Sequence, residues 1–180
     1  MKLHLTAFLM LIFVGVAIGQ SQAERDKGIE LYQQKNYQAA IPVLKSVIEE
    51  DKKDWNAWLY LGMSLAKTEK EKEALEAFRK GASYYPKNQY LKDEVFKITA
   101  KPRPNYTDLA RSNSVSGIVS FAVEFDAEGK VGTIIPIKTL PGGLTENTVN
   151  VAKKIKFTPM VKDGKPITII RIVEYSFQIY

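Results

Sequence analysis

The sequence predicts an α+β protein of two modules, a helical one followed by a small mixed one, and three observations carry that expectation. Gly28 and Gly62 stand 34 residues apart, and their surroundings shift with them: Leu31 maps to Leu65, Ala40 to Ala74 and Leu44 to Phe78. A 34-residue period is that of stacked helix–turn–helix units. Apolar residues alternate from Val119 to Phe125 and again from Ile167 to Tyr180, as strands require. Between the two patterns, Lys101-Pro102-Arg103-Pro104 reads as a stiff, extended boundary.

Residues 1–23 of the 180 read as an export leader. Lys2 gives a positive start, Leu5 to Ile18 is apolar apart from Thr6 and Gly15, and small residues set cleavage after Gly19 or Ala23. The apolar run is about 14 residues, short of the ~20 that span a bilayer. The alternative is an uncleaved anchor. With no cysteine, the chain forms no disulfide and carries no cysteine-linked lipid.

Residues 24–100 then form the helical module and residues 101–180 the mixed one. The first carries 14 basic and 13 acidic side chains, the second 11 basic and 7 acidic. The positive excess therefore lies in the second module, where it fits an acidic or membrane-proximal partner, or a solvated surface. Export, and the lack of any groove-reading helix motif, argue against nucleic acid.

The residue inventory excludes much chemistry. His4, inside the leader, is the one histidine. Neither Ser-His-Asp nor Cys-His catalysis is then available to the mature chain, nor are the usual zinc sites. No phosphate-binding G-x-x-x-x-G-K-[ST] loop occurs. The expectation is a non-enzyme with no cofactor and no metal. Glu124, Asp126 and Glu128 cluster, but around a turn, where acidic residues are ordinary. Gly142-Gly143 precedes a helix, and a loop needing positive φ explains the pair better than a phosphate cradle does.

In the helical module, residues 24–35 read as a helix with Ile29 and Leu31 turned inward. Asn36 caps the next, where Tyr37, Ala40, Leu44, Val47 and Ile48 recur at helical spacing and Pro42 removes one backbone donor. Asp54 caps a third, with Trp58, Leu61, Gly62 and Leu65 on one face. Thr68 and Glu71 fit a capping box for the fourth, which Ala74, Phe78 and Gly81 continue and Pro86 ends. Two repeats bury little core alone. Leu91, Val95 and Ile98, at i, i+4 and i+7, make residues 88–98 the expected capping helix.

Trp58, Leu61, Gly62, Ala74, Phe78 and Pro86 fall on signature positions of the tetratricopeptide family, which the second repeat closely resembles. The first repeat fits at Gly28, Leu31, Tyr37, Ala40 and Leu44, with Lys52 where the family has proline. The resemblance implies a concave groove lined by the first helix of each repeat: Arg25, Ile29 and Tyr32, then Leu59, Met63 and Ala66. The groove lacks the asparagine and lysine set that grips chain-terminal carboxylates in chaperone-binding members. It is expected either to take a second partner or to steady the other module.

In the mixed module, a short amphipathic piece holds Tyr106, Leu109 and Ala110. Val119, Phe121, Val123 and Phe125 face one way and Ser120, Ala122 and Glu124 the other, a half-buried strand. Asp126 to Lys130 has hairpin-turn chemistry, and Val131 to Ile137 returns, with Pro136 marking a ladder edge or break. Thr145 is the expected cap of a helix with Leu144, Val149, Ala152 and Ile155 inside. Lys162 to Lys165 makes another turn before the last strand.

This order resembles the C-terminal domain of the TonB energy-transducer family. The matching pieces are Tyr106 with Ala110-Arg111, Gly117-Ile118-Val119, Phe125-Asp126-x-x-Gly129-x-Val131, Gly143-Leu144, Phe157-x-Pro159 and Val173-x-Tyr175-x-Phe177. Thr107 stands where the family usually has proline. The resemblance implies a three-stranded antiparallel sheet with two helices on one face. It also implies capture of an extended segment of an outer-membrane transporter as an added strand, the physics of β-augmentation. The edge residues would be Ile169, Arg171, Val173, Glu174, Tyr175 and Phe177. The long proline-rich spacer of the energy transducers is missing. The expected function is thus a periplasmic adaptor that binds an extended segment of an envelope or transport protein. The alternatives are an inner-membrane-anchored transducer facing the periplasm and a self-associating structural protein whose β-domains pair as a homodimer.

Overall fold

The computed structural model describes residues 21–86 and 96–179. Four helices come first: α1 over 21–33, α2 over Tyr37–Glu50, α3 over Trp55–Lys67 and α4 over Glu71–Tyr84. The mixed module follows as β1 (Lys97–Ala100), α5 (Asp108–Ser112), β2 (Gly117–Phe125) and β3 (Val131–Lys138). It ends with α6 (Leu144–Ala152), β4 (Lys156–Thr158), β5 (Met160–Lys162), β6 (Lys165–Ile167) and β7 (Ile169–Phe177). Most of the expected leader lies outside the described residues, and 21–23 already belong to α1.

The helical repeat is built on two equivalent contacts. A Cβ at Gly28 would sit 2.7 Å from Leu44 Cδ2, and a Cβ at Gly62 would sit 2.7 Å from Phe78 Cδ1. Glycine at these positions lets the paired helices close, and Leu44 and Phe78, both fully buried, fill the space beyond. Asn36 and Asp54 cap as expected: their carboxamide and carboxylate oxygens accept from the amides of Ala39 and Ala57. Thr68 does not cap α4. It closes α3 instead, its hydroxyl donating back to the carbonyls of Ser64 and Leu65, and α4 starts after Lys70 with Glu71 and Glu73 in its first turn. Those acids suit the positive helix end.

Most of the expected capping helix over 88–98 lies outside the described residues, but its end does not form. Lys97–Ala100 is a strand, and Ile98 stands opposite Phe157 of β4. Pairing with β4 overrides the helical spacing of Ile98.

The central sheet is antiparallel in the order β3-β2-β7. β2 and β7 run in unbroken register from Gly117 opposite Phe177 to Phe125 opposite Ile169. The β2–β3 hairpin turns at Asp126 to Lys130, where Gly129 takes φ +83. Two short ribbons, β1-β4 and β5-β6, add strands beyond the three expected.

One face of the sheet carries Val119, Phe121, Val123, Phe125, Val173 and Tyr175 and packs with Ala110, Leu144 and Ala152 of α5 and α6. The other face, which the sequence left half-buried, is covered as well: Ala122, Ile170 and Ile172 join one apolar core with Tyr32, Tyr60 and Met63 of the helical module. Ser120 and Glu124 are buried on that face at 6% and 8% exposure. Each isoleucine buried there contributes about 1.5–3 kcal/mol.

Local chemistry sets the α5–α6 junction. Thr107 caps α5 by accepting from the amide of Ala110, and its hydroxyl donates to the carbonyl of Gly142. Gly142 has φ +72, and a Cβ there would come within 3.0 Å of Ala110, so only glycine fits. Thr145 does not cap α6. Gly143, in the left-handed region, holds that position, and the Thr145 hydroxyl instead bonds the backbone N–H and C=O of Leu140.

Candidate functional site

The candidate site is the outer edge of β7. In an antiparallel ladder successive residues turn their backbone groups alternately to the two sides. The carbonyls of Thr168, Ile170 and Glu174 are reached from outside by Tyr60, Arg171 and Lys101 respectively. The even-numbered residues 168–176 thus point outward, and the odd-numbered ones pair with β2. Among the described residues no strand pairs with that outer edge.

Both ends of the edge are held. At its start, Gln33 of α1 donates to the Thr168 carbonyl at 2.5 Å and accepts from the Thr168 amide at 3.0 Å. Tyr60 of α3 adds a bond to the same carbonyl at 3.0 Å. Toward the far end, Lys101 Nζ lies 2.7 Å from the Glu174 carbonyl and 4.5 Å from the centre of the Tyr175 ring. Burial pulls the Lys101 ammonium below its ordinary pKa, and Glu174 opposes that shift. A groove of about 800 Å³ runs beside this stretch, lined by Lys101, Arg103, Tyr106, Glu174, Tyr175 and Phe177. The Tyr175 hydroxyl is buried in its wall with no hydrogen-bond partner among the described residues, and burial raises its pKa to about 12.

The six expected edge residues separate into two kinds. Ile169, Val173, Tyr175 and Phe177 turn their side chains into the core beneath the sheet. Arg171 is 5% exposed, with its guanidinium 5.6 Å from the Trp55 ring of α3 and 5.8 Å from the Phe96 ring, which is buried in the core beneath the sheet. Only Glu174 is exposed. Of the charged side chains here, Glu174 is exposed beside Lys101 and Arg103 in the groove, and Arg171 is buried.

Of the six groove residues of the helical module, Ile29, Tyr32, Leu59, Met63 and Ala66 belong to or pack against the core that includes Ala122, Ile170 and Ile172 of the chain's own sheet. Leu59 and Met63 are fully buried, and Ile29 and Ala66 pack against the same core. Arg25 pairs with Asp54 at 2.9 Å. The Tyr32 hydroxyl donates to Glu124 of β2. Glu124 also accepts from Lys67 Nζ at 3.0 Å and from the Thr133 amide at 2.9 Å. Burial pushes the Glu124 carboxyl up, but Tyr32, Thr133 and Lys67 together hold it below its ordinary range. Burial, reinforced by the nearby Glu124 charge, pushes the Tyr32 hydroxyl well above its ordinary value.

Gln33, Tyr60, Lys67, Thr168 and Lys101 were not legible as site residues. The one available signal was Glu124, a charge among apolar strand positions. Asp126 and Glu128, its neighbours in sequence, are not brought to it. Asp126 accepts from two turn amides, and Glu128 pairs with Lys130.

Two family models match parts of the chain. Residues 102–179 match the family model described as Gram-negative bacterial TonB protein C-terminal, and residues 31–93 match a tetratricopeptide repeat model. The C-terminal module is a TonB-like domain. It follows tetratricopeptide repeats, and both are protein-interaction modules of non-enzymatic families. The TonB-like domain points to the envelope of a Gram-negative bacterium. Among solved structures, the solution NMR structure of the Pseudomonas aeruginosa TonB CTD is similar at 21% identity and a TM-score of 0.42, covering 49% of this chain and 91% of that one. No curated protein matches the chain. No helix among the described residues is long and apolar enough to cross a membrane.

Proposed function

We propose that this chain is a non-enzymatic periplasmic adaptor whose TonB-like domain captures an extended segment of an envelope or transport protein as a strand beside β7. The observation that carries this reading is the outer edge itself. Residues 174–177 of β7 line a groove, and among the described residues no strand pairs with the outer edge of β7. Backbone hydrogen bonds would supply affinity, and Glu174, Lys101 and Arg103 would sort partners by charge. Entry of a strand requires Lys101 to leave the Glu174 carbonyl.

In this proposal the helical repeats support the strand-capturing sheet, because their concave side already holds it. The domain boundary follows the same logic. The TonB-like unit starts at β1, before residue 101, because β1 pairs with β4.

In-cell photo-crosslinking from a probe at position 174 tests the proposal. Recovery of an envelope protein, lost when Ser176→Pro removes an outward N–H, supports it. Recovery of only a second copy of this chain replaces it with the homodimer, and crosslinks unaffected by Ser176→Pro remove the edge from the function.

A further inference from the structure

The β1-β4 ribbon carries a feature that strand capture does not use. Lys97 stands opposite Thr158 and Ala100 opposite Lys156, with the register shifting around Thr99. Ile98 and Phe157 turn toward the core, so Lys97, Thr99, Lys156 and Thr158 are left on the exposed outer side. Lys153 and Lys154, also exposed, follow the end of α6 and lead directly into β4. None of these four lysines makes an ion pair among the described residues. Neither 97–107 nor 147–162 contains a carboxylate. The hairpin turn passes close by, since a Cβ at Gly129 would lie 3.9 Å from Pro159, but its acids are engaged. Asp126 is held by the amides of Glu128 and Lys130, and Glu128 by the Lys130 ammonium.

From this juxtaposition we infer that the outer face of the β1-β4 ribbon, with Lys97, Lys153, Lys154 and Lys156, docks on an anionic phospholipid surface. The choice of residue argues for a lipid surface over a discrete ligand. A lysine ammonium is a point charge without the planar fork with which arginine reads one carboxylate or phosphate. Four such charges, two on a short threonine-flanked ribbon and two in the segment leading into it, suit negative charge spread over a plane. Polybasic clusters bind anionic leaflets in this way, each lysine adding about a fivefold increase in affinity that salt screens. Export, on the periplasmic reading proposed above, would bring the ribbon to such a plane, where much of the positive excess of the C-terminal module lies.

Co-sedimentation of the full chain with vesicles of phosphatidylethanolamine and phosphatidylglycerol, against vesicles of phosphatidylcholine, tests the inference. Binding to the neutral vesicles sets the baseline of the apolar N-terminal run. The expected result is stronger binding to the anionic vesicles, lost in high salt. It should be weakened by roughly a hundredfold or more when Lys97, Lys153, Lys154 and Lys156 are all changed to Gln. A control in which Lys52, Lys53, Lys70 and Lys72 of the helical module are changed to Gln should bind like the parent. Equal binding to both vesicle types, or equal loss in the two variants, overturns the inference. Binding to soluble poly-glutamate without binding to anionic vesicles overturns it in favour of an acidic protein.

Discussion

Gln33 and Thr168, 135 residues apart in the chain, exchange two hydrogen bonds. The carboxamide of Gln33 offers one donor and one acceptor, as a peptide group does, so it imitates the first rung of a neighbouring strand. The helical repeats thereby end the open edge of β7 at its N-terminal side, and anything added to that edge starts beyond Thr168.

Removing this clasp has a measurable cost. Gln33→Ala leaves the Thr168 amide without its partner and is expected to destabilise the fold by about 1–3 kcal/mol, with Tyr60→Phe costing about 1 kcal/mol. Amide hydrogen exchange at Thr168 should accelerate in Gln33→Ala and change little in Tyr60→Phe, which leaves the Thr168 N–H bonded. Unchanged exchange in both variants contradicts the clasp.

Glu124 gives the stability a pH dependence. Its folded pKa lies below the ordinary 4.5. Its stabilising contribution is therefore complete above pH 4.5 and is lost as the pH falls through the folded value. Glu124→Gln is expected to cost about 1–3 kcal/mol at pH 7. Urea midpoints of parent and variant should converge as the pH is lowered toward 3. A gap that stays constant over that range would show that the carboxylate charge is not what joins the modules.

The glycine contacts of the repeats are open to a double-mutant cycle. Gly62→Ala improves helix propensity by about 1 kcal/mol but drives a methyl group into the buried Phe78 ring, at a cost of about 1–3 kcal/mol. The net change should be destabilising. It should shrink when Phe78→Leu is present, with a coupling of about 0.5 kcal/mol or more from thermal or urea unfolding. Simple additivity would mean that the helices do not meet there as described.

Proline distinguishes the two sides of β7. The Val173 N–H points to β2, so Val173→Pro should damage the sheet itself and lower the melting temperature. Ser176→Pro removes an outward N–H and should leave the β2–β7 ladder intact, because edge strands tolerate proline on their free side. Circular dichroism melts of the two variants check this assignment directly; equal damage would reverse the alternation.

Local signals were legible and distant ones were not. Asn36 and Asp54 cap helices because the groups they bond are three residues away, and the turn from Asp126 to Lys130 closes on itself in the same way. Thr68 and Thr145 have the right chemistry for caps, but each hydroxyl bonds backbone groups three to five residues behind it instead. Ile98 keeps its helical spacing in the sequence and still becomes a strand residue, because its partner Phe157 lies in another part of the chain. The second face of β2 was hidden for the same reason. Ser120, Ala122 and Glu124 look solvent-facing until α1 and α3 supply the cover. Glu124 alone carried a hint, since a carboxylate between Val123 and Phe125 needs partners from elsewhere.

The register of β2 and β7 has a mechanical consequence. Nine facing positions, from Gly117–Phe177 to Phe125–Ile169, align the two strands without a bulge. A tug along the length of a segment lying beside β7 would be resisted by all nine together, in shear, rather than unzipped one after another. Such an arrangement tolerates tension along the chain axis far better than tension across it.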